Sequence, residues 1–457
     1  MALLKHKTQD LTQGPLAKQI LLFSLPLMAT SLLQVLFNMA DLAVVGRFAG
    51  PMALGSVGST TILLSMFNWF IIGLAAGINV LTATHFGARD RKGLGETVHS
   101  AALISLLIGL GMLALGLGLS RFMMEIMNTK PELIDGAVLY LRICFLGMPA
   151  LALYNFGNAV FTAVGDTRRP LIYLTIAGVL NVALNLFLVI VWGMGVAGVA
   201  IATVVSQYVS AILVVGALLR CREDYGLRLA ELRLTPSRSR AILNYGIPAG
   251  LQSCAYSVAN LLVQVGVNSF DAVLVAGNSA ATNADNLMFD VMAAFHTACG
   301  SFTGQNCGAG NPERVRRSYY ISLGYSFGIA LVMGIVLRIF GLPFLFLFTD
   351  DPLVARMGLK RLNIMSLSYC LSALMDCTLA ANRGLGKNAV PTVFLFFGSC
   401  VFRIAWIYTI FPHFGTIQSL YLLYAFSWSI TGALELVYFI RIYRHWAGSL
   451  AAPERPV

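Results

Sequence analysis

The chain has 457 residues, of which 58% are hydrophobic and only 11% are charged, and its mean hydropathy is +0.77. A soluble globular domain carries about 25% charged residues, so this composition excludes a string of ordinary soluble domains. It indicates a chain that spans a lipid bilayer. The formal net charge is +11, but the basic residues form short clusters between apolar runs. No basic stripe is interleaved with aromatic residues, which argues against nucleic acid as a partner.

The apolar runs predict an all-α integral membrane protein. Residues 170–219 contain no Asp, Glu, Lys or Arg. A single helix of that length would measure about 75 Å, against a bilayer core of about 30 Å, so this run predicts two spans with a turn at Gly193-Met194-Gly195. The same reasoning along the chain predicts twelve spans, at residues 17–44, 52–82, 96–120, 134–162, 170–191, 196–219, 240–266, 275–302, 318–341, 353–381, 389–411 and 417–443.

The basic residues predict the orientation of these spans. With the N-terminus inside, most of the 31 lysines and arginines fall on the inner side, which is the distribution typical of cytoplasmic loops. Both termini are therefore predicted to be cytoplasmic, in the inner (plasma) membrane. Lys5 and Lys7 precede the first apolar run, as in a signal peptide, but eleven further spans favour an uncleaved helix.

The two halves of the chain repeat each other at a nearly constant offset. Pro26 and Pro248 are 222 residues apart, as are Asn38 and Asn260, while Gly165 and Gly386 are 221 apart. A shared offset across six spans predicts an internal duplication. We expect two pseudo-symmetric six-helix lobes, at residues 1–220 and 240–457, joined by a polar cytoplasmic linker at 221–239. Such parallel repeats are typical of alternating-access transporters, and a duplicated scaffold without transport is the alternative.

Polar residues inside spans are the candidates for function, because they are costly in lipid. Asp41 follows Gln34 and Asn38 on one face of the first span, since the spacings are i, i+4 and i+7. Later spans carry further oxygen-bearing side chains, namely Asn155, Asn158, Asn181, Asn185 and Thr203. If these faces converge, they form a pocket for a small hard cation, and a buried carboxylate can equally hold H⁺. The alternative for the asparagines is hydrogen bonding that joins helices.

Three other acids lie in apolar runs, at Asp290, Asp376 and Glu435. Asp376 follows Ser372 by four residues and precedes Arg383 by seven, so it is either a second proton or substrate site or an ion-paired structural residue. The sequence contains no Walker A loop, no H-E-x-x-H and no G-x-S-x-G motif. We therefore expect neither an enzyme nor ATP-driven transport. The eight cysteines form no C-x-x-C pair, so no zinc site or disulfide framework is predicted.

Several segments resemble the multidrug and toxic compound extrusion (MATE) family, and the resemblance covers essentially the whole chain. The motifs that carry it are Asn38-Met39-Ala40-Asp41 with Val45-Gly46-Arg47-Phe48, then Gly165-Asp166-Thr167-Arg168-Arg169-Pro170, Thr303-Gly304-Gln305-Asn306-Cys307-Gly308-Ala309-Gly310-Asn311 and Arg383-Gly384-Leu385-Gly386-Lys387.

The resemblance implies a twelve-helix, two-lobed exporter driven by Na⁺ or H⁺. In the prokaryotic DinF-like branch, the cation site would fall on Asp41, Asn155, Asn158, Asn181, Asn185 and Thr203. Some relatives carry a second carboxylate where this chain has Asn185, which puts Na⁺ binding and two-ion coupling in doubt. The seventh span also lacks the acid of another branch and has Tyr256 at that spacing.

We therefore expect an antiporter that exports a lipophilic organic cation in exchange for H⁺ or Na⁺, with no cofactor and no metal beyond Na⁺ at Asp41. The expected partners are the small-molecule substrate and membrane lipid, and the protein is expected to be a monomer. One rival is a flippase for lipids or lipid-linked oligosaccharides, which would need a strongly cationic cavity. Basic residues inside the spans are few, mainly Arg142 and Arg403. A membrane-embedded enzyme and a channel are the other rivals.

Overall fold

A computed structural model describes residues 10–451, apart from the side chains of Pro51 and Ala451. That part of the chain is helical and contains no β-strand. Twelve helices occupy the twelve predicted spans, which confirms the predicted fold class. They are α1 (Leu16–Val44, extended by a π-helical turn at Val45–Ala49), α2 (Pro51–Gly87), α3 (Arg91–Ile126), α4 (Pro131–Leu146 and Met148–Ala163), α5 (Arg168–Leu186, with a π-helical turn at Phe187–Val191), α6 (Gly195–Arg220), α7 (Pro236–Val267), α8 (Ala272–Gly308), α9 (Pro312–Ile339, followed by a short helix at Gly341–Leu345), α10 (Pro352–Gly384), α11 (Ala389–Leu395 and Phe402–Phe414, joined by a π-helical turn at Phe396–Val401) and α12 (Ile417–Ala451).

Most of these helices are long and apolar enough to cross a membrane by themselves. Nine pass that test over the residues described, and α4 passes as a pair of segments that bend by 45°. The two that do not are α7 and α8. Their sequences are interrupted by polar residues, including Asn278, Asp285 and Asp290 in α8. Such residues are tolerated inside a membrane bundle when they face other helices rather than lipid.

Short polar side chains fix where several helices begin. Asp90, Asp271 and Asn311 each precede a helix and accept a hydrogen bond from a backbone N–H of its first turn, at 2.8–3.1 Å. These bonds satisfy donors that have no partner within the helix. The N–H of Gly93, together with the nearby His85 and Arg238, holds the pKa of Asp90 below its usual value. The caps therefore fix the ends of α3, α8 and α9 in the interhelical loops.

The chain forms two compact units. Unit 1 comprises Ala29–Phe86 and Asp90–Gly250, and unit 2 comprises Asp10–Met28, Gly87–Arg89 and the described residues from Leu251 onward. The predicted lobe boundaries stay a prediction, and these units differ from them in two helices. Both α1 and α7 are divided between the units, and Pro26 and Pro248 stand two residues before the two points of division.

The segment predicted as a linker, 221–239, is attached to unit 1. His99 of α3 accepts a hydrogen bond from the backbone N–H of Arg228 at 3.0 Å, and its other ring nitrogen lies 2.6 Å from the carbonyl oxygen of Gly95. Ser100, next along α3, accepts from the N–H of Thr235 at 3.0 Å. These bonds hold both halves of the segment against α3.

In unit 2, α10 packs against α8, α9 and α12 and forms the centre of the bundle. The contact with α9 depends on Gly334, because a methyl group there would overlap the backbone carbonyl of Ser366. Small residues permit this close approach of helix backbones inside a membrane. Gly328 lies on the same helix, and a methyl group there would meet open space.

We expect Gly334→Ala to lower thermal stability in detergent, because the backbone of α10 must shift to admit the methyl group; the cost of such overpacking is about 1–3 kcal/mol. Gly328→Ala is the matched control. It should be neutral or slightly stabilising, by up to about 1 kcal/mol, because alanine restricts the unfolded chain. Equal melting temperatures for the two variants would contradict the close packing of α9 on α10.

Candidate ion-coupling site

Asp41 lies in the last turn of the regular part of α1 and is half-buried. Its carboxylate accepts a hydrogen bond from Asn185 Nδ2 of α5 and another from Thr203 Oγ1 of α6 at 3.5 Å. All three residues belong to unit 1. The structure therefore brings together three of the predicted site residues from three separate helices.

Asn185 is the residue that links this group. Its side chain is fully buried, and Nδ2 donates to Asn181 Oδ1 at 3.3 Å as well as to Asp41. Its own Oδ1 has no hydrogen-bond partner among the described residues. Asn185 thus presents its donor group to the carboxylate and turns its acceptor away, so that the surroundings of Asp41 supply hydrogen-bond donors.

Local backbone features place these side chains. The π-helical turn Val45–Ala49 begins four residues after Asp41, and the turn Phe187–Val191 begins two residues after Asn185. Such wider turns rotate the residues around them and are frequent at functional sites. On α5, Gly178 lies against the ring of Phe37, where a Cβ would overlap that ring. A glycine at this position therefore lets α1 and α5 approach closely next to Asp41.

The sequence analysis missed Tyr140 of α4. Its phenol and the Cys144 thiol one turn later lie within electrostatic range of the Asp41 carboxylate. Tyr140 is almost fully buried. Neither residue is charged and neither stands in a motif, so nothing in the sequence distinguished them from ordinary packing residues.

Four predicted members show no hydrogen bond to Asp41 in the described part of the chain. Asn155 donates to the carbonyl of Leu151, and Asn158 accepts from Thr162, both within α4. Gln34 and Asn38 are exposed on α1. The roles of these four residues in ion binding stay predictions.

Asp376 lies on α10 in unit 2, half-buried, and accepts a hydrogen bond from Ser372 Oγ at 3.0 Å. No ion pair to Asp376 is found among residues 10–451. Arg383, its predicted partner, instead donates to Asn388 and Gln252 at 3.0 and 2.9 Å. This arrangement does not support the ion-paired interpretation and leaves the functional one as a prediction.

A second polar network in unit 2 was also missed. Arg361 of α10 forms a buried ion pair with Asp285 of α8, with Nε 3.1 Å from Oδ2. Its Nη1 donates to Asn278 at 2.9 Å, and Tyr369 donates to the Asp285 carboxylate. The sequence shows each charge but not their pairing, because the two residues are 76 positions apart.

Twelve helices in two repeats, with charged and amide side chains converging inside them, define a multi-pass membrane transporter. Comparison with known families places it further. The sequence model of the MatE family matches the chain twice, at residues 26–187 and 248–409. The chain belongs to this family, that of the MATE transporters. The two matches are offset by 222 residues, which agrees with the repeat found in the sequence.

Named relatives cover most of the chain. It is 31% identical to the probable multidrug resistance protein YpnP of Bacillus subtilis (strain 168), over 79% of this chain and 81% of that protein. It is 26% identical to the probable multidrug resistance protein NorM of Thermotoga maritima, over 83% of this chain and 82% of the relative. A FAD transporter of Shewanella oneidensis is 25% identical, over 75% of this chain and 77% of its own.

Solved structures agree in fold. A multidrug resistance MATE family transporter of the MOP superfamily in an outward-facing conformation superposes with a TM-score of 0.90 at 22% identity, covering 97% of this chain and 99% of that one. A MOP superfamily transporter from Pyrococcus furiosus superposes with a TM-score of 0.89 at 23% identity, covering 98% and 100%. At these identities the likeness shows the fold alone.

We expect Arg361→Met to destabilise the protein, because it leaves the buried Asp285 carboxylate without its counter-ion; breaking such a pair costs about 3–5 kcal/mol. Adding Asp285→Asn should restore most of the loss, since the amide oxygen can still accept from Tyr369. Thermal unfolding in detergent measures both effects. Arg338→Met, on the exposed end of α9, is the control for loss of a positive charge. A double variant no more stable than the single one would contradict a buried ion pair.

Proposed function

We propose that the protein is a secondary antiporter that exports small organic molecules in exchange for H⁺ bound at Asp41. The observation that carries this proposal is the Asp41 carboxylate itself, half-buried inside a span and hydrogen-bonded from two other helices. A carboxylate within a membrane bundle is costly, and this one lies where α1, α5 and α6 converge. Membership of a transporter family supports transport rather than catalysis.

The donors around Asp41 favour H⁺ over Na⁺ as the coupling ion. A small metal cation needs several oxygen ligands directed at one point. Asn185 and Thr203 instead direct N–H and O–H groups at the carboxylate, and the free Oδ1 of Asn185 does not face it. Protonation needs no such set of ligands. It changes the charge of the group and the direction in which it can donate a hydrogen bond.

Coupling requires that proton and substrate bind with different affinity to two states of the protein. The helix that carries Asp41 is shared between the compact units, with residues 29–49 in unit 1 and residues 16–28 in unit 2. Pro26 lies near that division and removes one backbone hydrogen bond of α1, which lets a helix bend there. A change of charge at Asp41 therefore acts on an element that belongs to both units.

The relatives' names support a small-molecule substrate, since two are described as multidrug resistance proteins and one as a FAD transporter. Export of lipophilic organic cations by a monomeric protein in the plasma membrane, with both termini cytoplasmic, completes the proposal.

Asp41→Asn should abolish gradient-driven efflux while leaving folding intact, because the amide keeps the shape of the carboxylate but cannot exchange a proton. The measurement is efflux of a fluorescent organic cation from proteoliposomes under separately imposed H⁺ and Na⁺ gradients. We expect efflux by the wild type under the H⁺ gradient alone. The matched control is Asp135→Asn, an exposed carboxylate of unit 1.

Three results would contradict the proposal. Full efflux by Asp41→Asn would remove Asp41 from the coupling mechanism. Efflux driven only by the Na⁺ gradient would replace H⁺ with Na⁺. Absence of efflux by well-folded wild type under both gradients would exclude organic-cation antiport.

Reporter fusions test the orientation. A green fluorescent protein fused to either terminus should fluoresce in cells, and an alkaline phosphatase fused there should be inactive, because both ends face the cytoplasm. The predicted turn at Gly193–Gly195, between α5 and α6, should give the opposite result. Active phosphatase at a terminus would reverse the orientation derived from the basic residues.

A further inference from the structure

Arg403 of α11 is a buried guanidinium for which the described residues supply no carboxylate. Its exposed fraction is 0%, and no ion pair to it is found within the part of the chain described. The other buried arginine of unit 2, Arg361, is paired with Asp285. A buried charge without a counter-ion is strongly unfavourable, so the contrast between these two arginines needs an explanation.

The groups that hold Arg403 are neutral. Nε donates to Ser427 Oγ at 3.3 Å, and Nη1 donates to Asn260 Oδ1 at 2.8 Å. The guanidinium also lies over the rings of Tyr256 and Tyr424, at 5.2 and 4.6 Å from their centroids. These interactions offset part of the desolvation cost, but Nη2 is buried and has no hydrogen-bond partner among residues 10–451.

The unused donor identifies the chemistry of the missing partner. A guanidinium offers five N–H donors in a planar fork that matches the two oxygens of a carboxylate or phosphate. Here the fork uses Nε and Nη1 on neutral oxygens and leaves Nη2 free. An oxyanion placed against Nη1 and Nη2 would satisfy the free donor and neutralise the charge at once.

Asn260 stands between this fork and the surface of unit 2. Its Oδ1 accepts from Arg403 Nη1, while the residue itself is exposed. Displacing one amide side chain would therefore present the guanidinium to a ligand. Tyr256, on the same helix one turn earlier, is only half-buried, and its ring over Arg403 offers a face on which a planar ligand could stack.

The two repeats differ in charge at this level. The repeat offset places Val263 and Trp406 at the positions of Asp41 and Asn185, so the second half has no counterpart of the first half's carboxylate. Thr203 likewise corresponds to Tyr424, which contacts the guanidinium of Arg403. The first half thus carries an acidic pocket, and the second half carries a cationic one lined by aromatic rings.

We propose that Arg403 binds the carboxylate or other oxyanion of the transported molecule, so that the substrate is an aromatic organic molecule that bears an anionic group. This inference rests on the proposed function. It narrows the substrate class from simple lipophilic cations to zwitterions and organic anions, since a carboxylate on the substrate supplies the charge that the surroundings of Arg403 lack.

The test uses two dyes that differ in one group, a rhodamine with a free benzoate carboxyl and its methyl ester. Binding to the full-length protein in detergent is followed by fluorescence anisotropy, and efflux is followed separately in proteoliposomes. We expect the wild type to bind the free acid about tenfold more tightly than the ester, because a charge-assisted bidentate contact is lost in the ester. Equal affinities would overturn the proposal.

Asn260→Asp is the sharpest variant, because it is nearly isosteric and places a carboxylate next to the guanidinium. It should abolish the preference for the free acid while leaving the melting temperature unchanged or raised. Arg403→Met should also abolish the preference, and Arg338→Met is the matched control that should retain it. If Arg403 were only structural, Asn260→Asp would leave the preference intact, and that result would overturn the proposal.

Two further arms separate the remaining interpretations. If chloride competes with the free acid when gluconate does not, and the wild type binds both dyes alike in chloride, the site holds an inorganic anion and the substrate assignment is wrong. If the free acid binds in an Arg403-dependent manner but neither dye moves under a proton gradient, the site stands while the proposed transport fails. If neither dye binds, the substrate assignment is overturned.

Discussion

The cost of placing charge in a membrane interior governs this protein. Lipid offers no partner to a carboxylate or guanidinium, so each must be satisfied by side chains from neighbouring helices. In unit 1, Asn185 and Thr203 bring two helices to Asp41. In unit 2, Asp285 and Arg361 neutralise each other, and Arg403 is held by amide, hydroxyl and aromatic groups. The charged residues therefore mark the points at which helices must meet.

Satisfying a charge completely and leaving it responsive are different solutions. The Asp285–Arg361 pair, with Tyr369 and Asn278 around it, is closed and stabilises the packing of α8 on α10. Asp41 and Arg403 have only neutral partners, so each remains able to exchange a bound group, a proton at one and an oxyanion at the other. An antiporter needs sites of this open kind, because binding must shift the protein between states.

The duplication explains how two such sites arose on one scaffold. The same family match occurs in both halves of the chain, and both halves carry a proline near the point where a helix divides between the units, at Pro26 and Pro248. The scaffold is thus repeated, whereas the residues at the matched polar positions differ in charge. Repetition of a backbone with divergence of its buried charges yields two binding chemistries from one fold.

The sequence by itself determined the twelve helices, because hydropathy over about 20 residues and the spacing of breaks follow from bilayer thickness alone. It also determined the repeat and singled out Asp41 together with Asn181, Asn185 and Thr203, since polar residues in apolar runs stand out individually. Only the tertiary structure decided which of them meet. It joined these four, left Asn155 and Asn158 bonded within α4 and added Tyr140. It also paired Asp285 with Arg361 across 76 residues, because the rotation of each helix about its axis is set by packing against its neighbours, which no periodicity along the chain records.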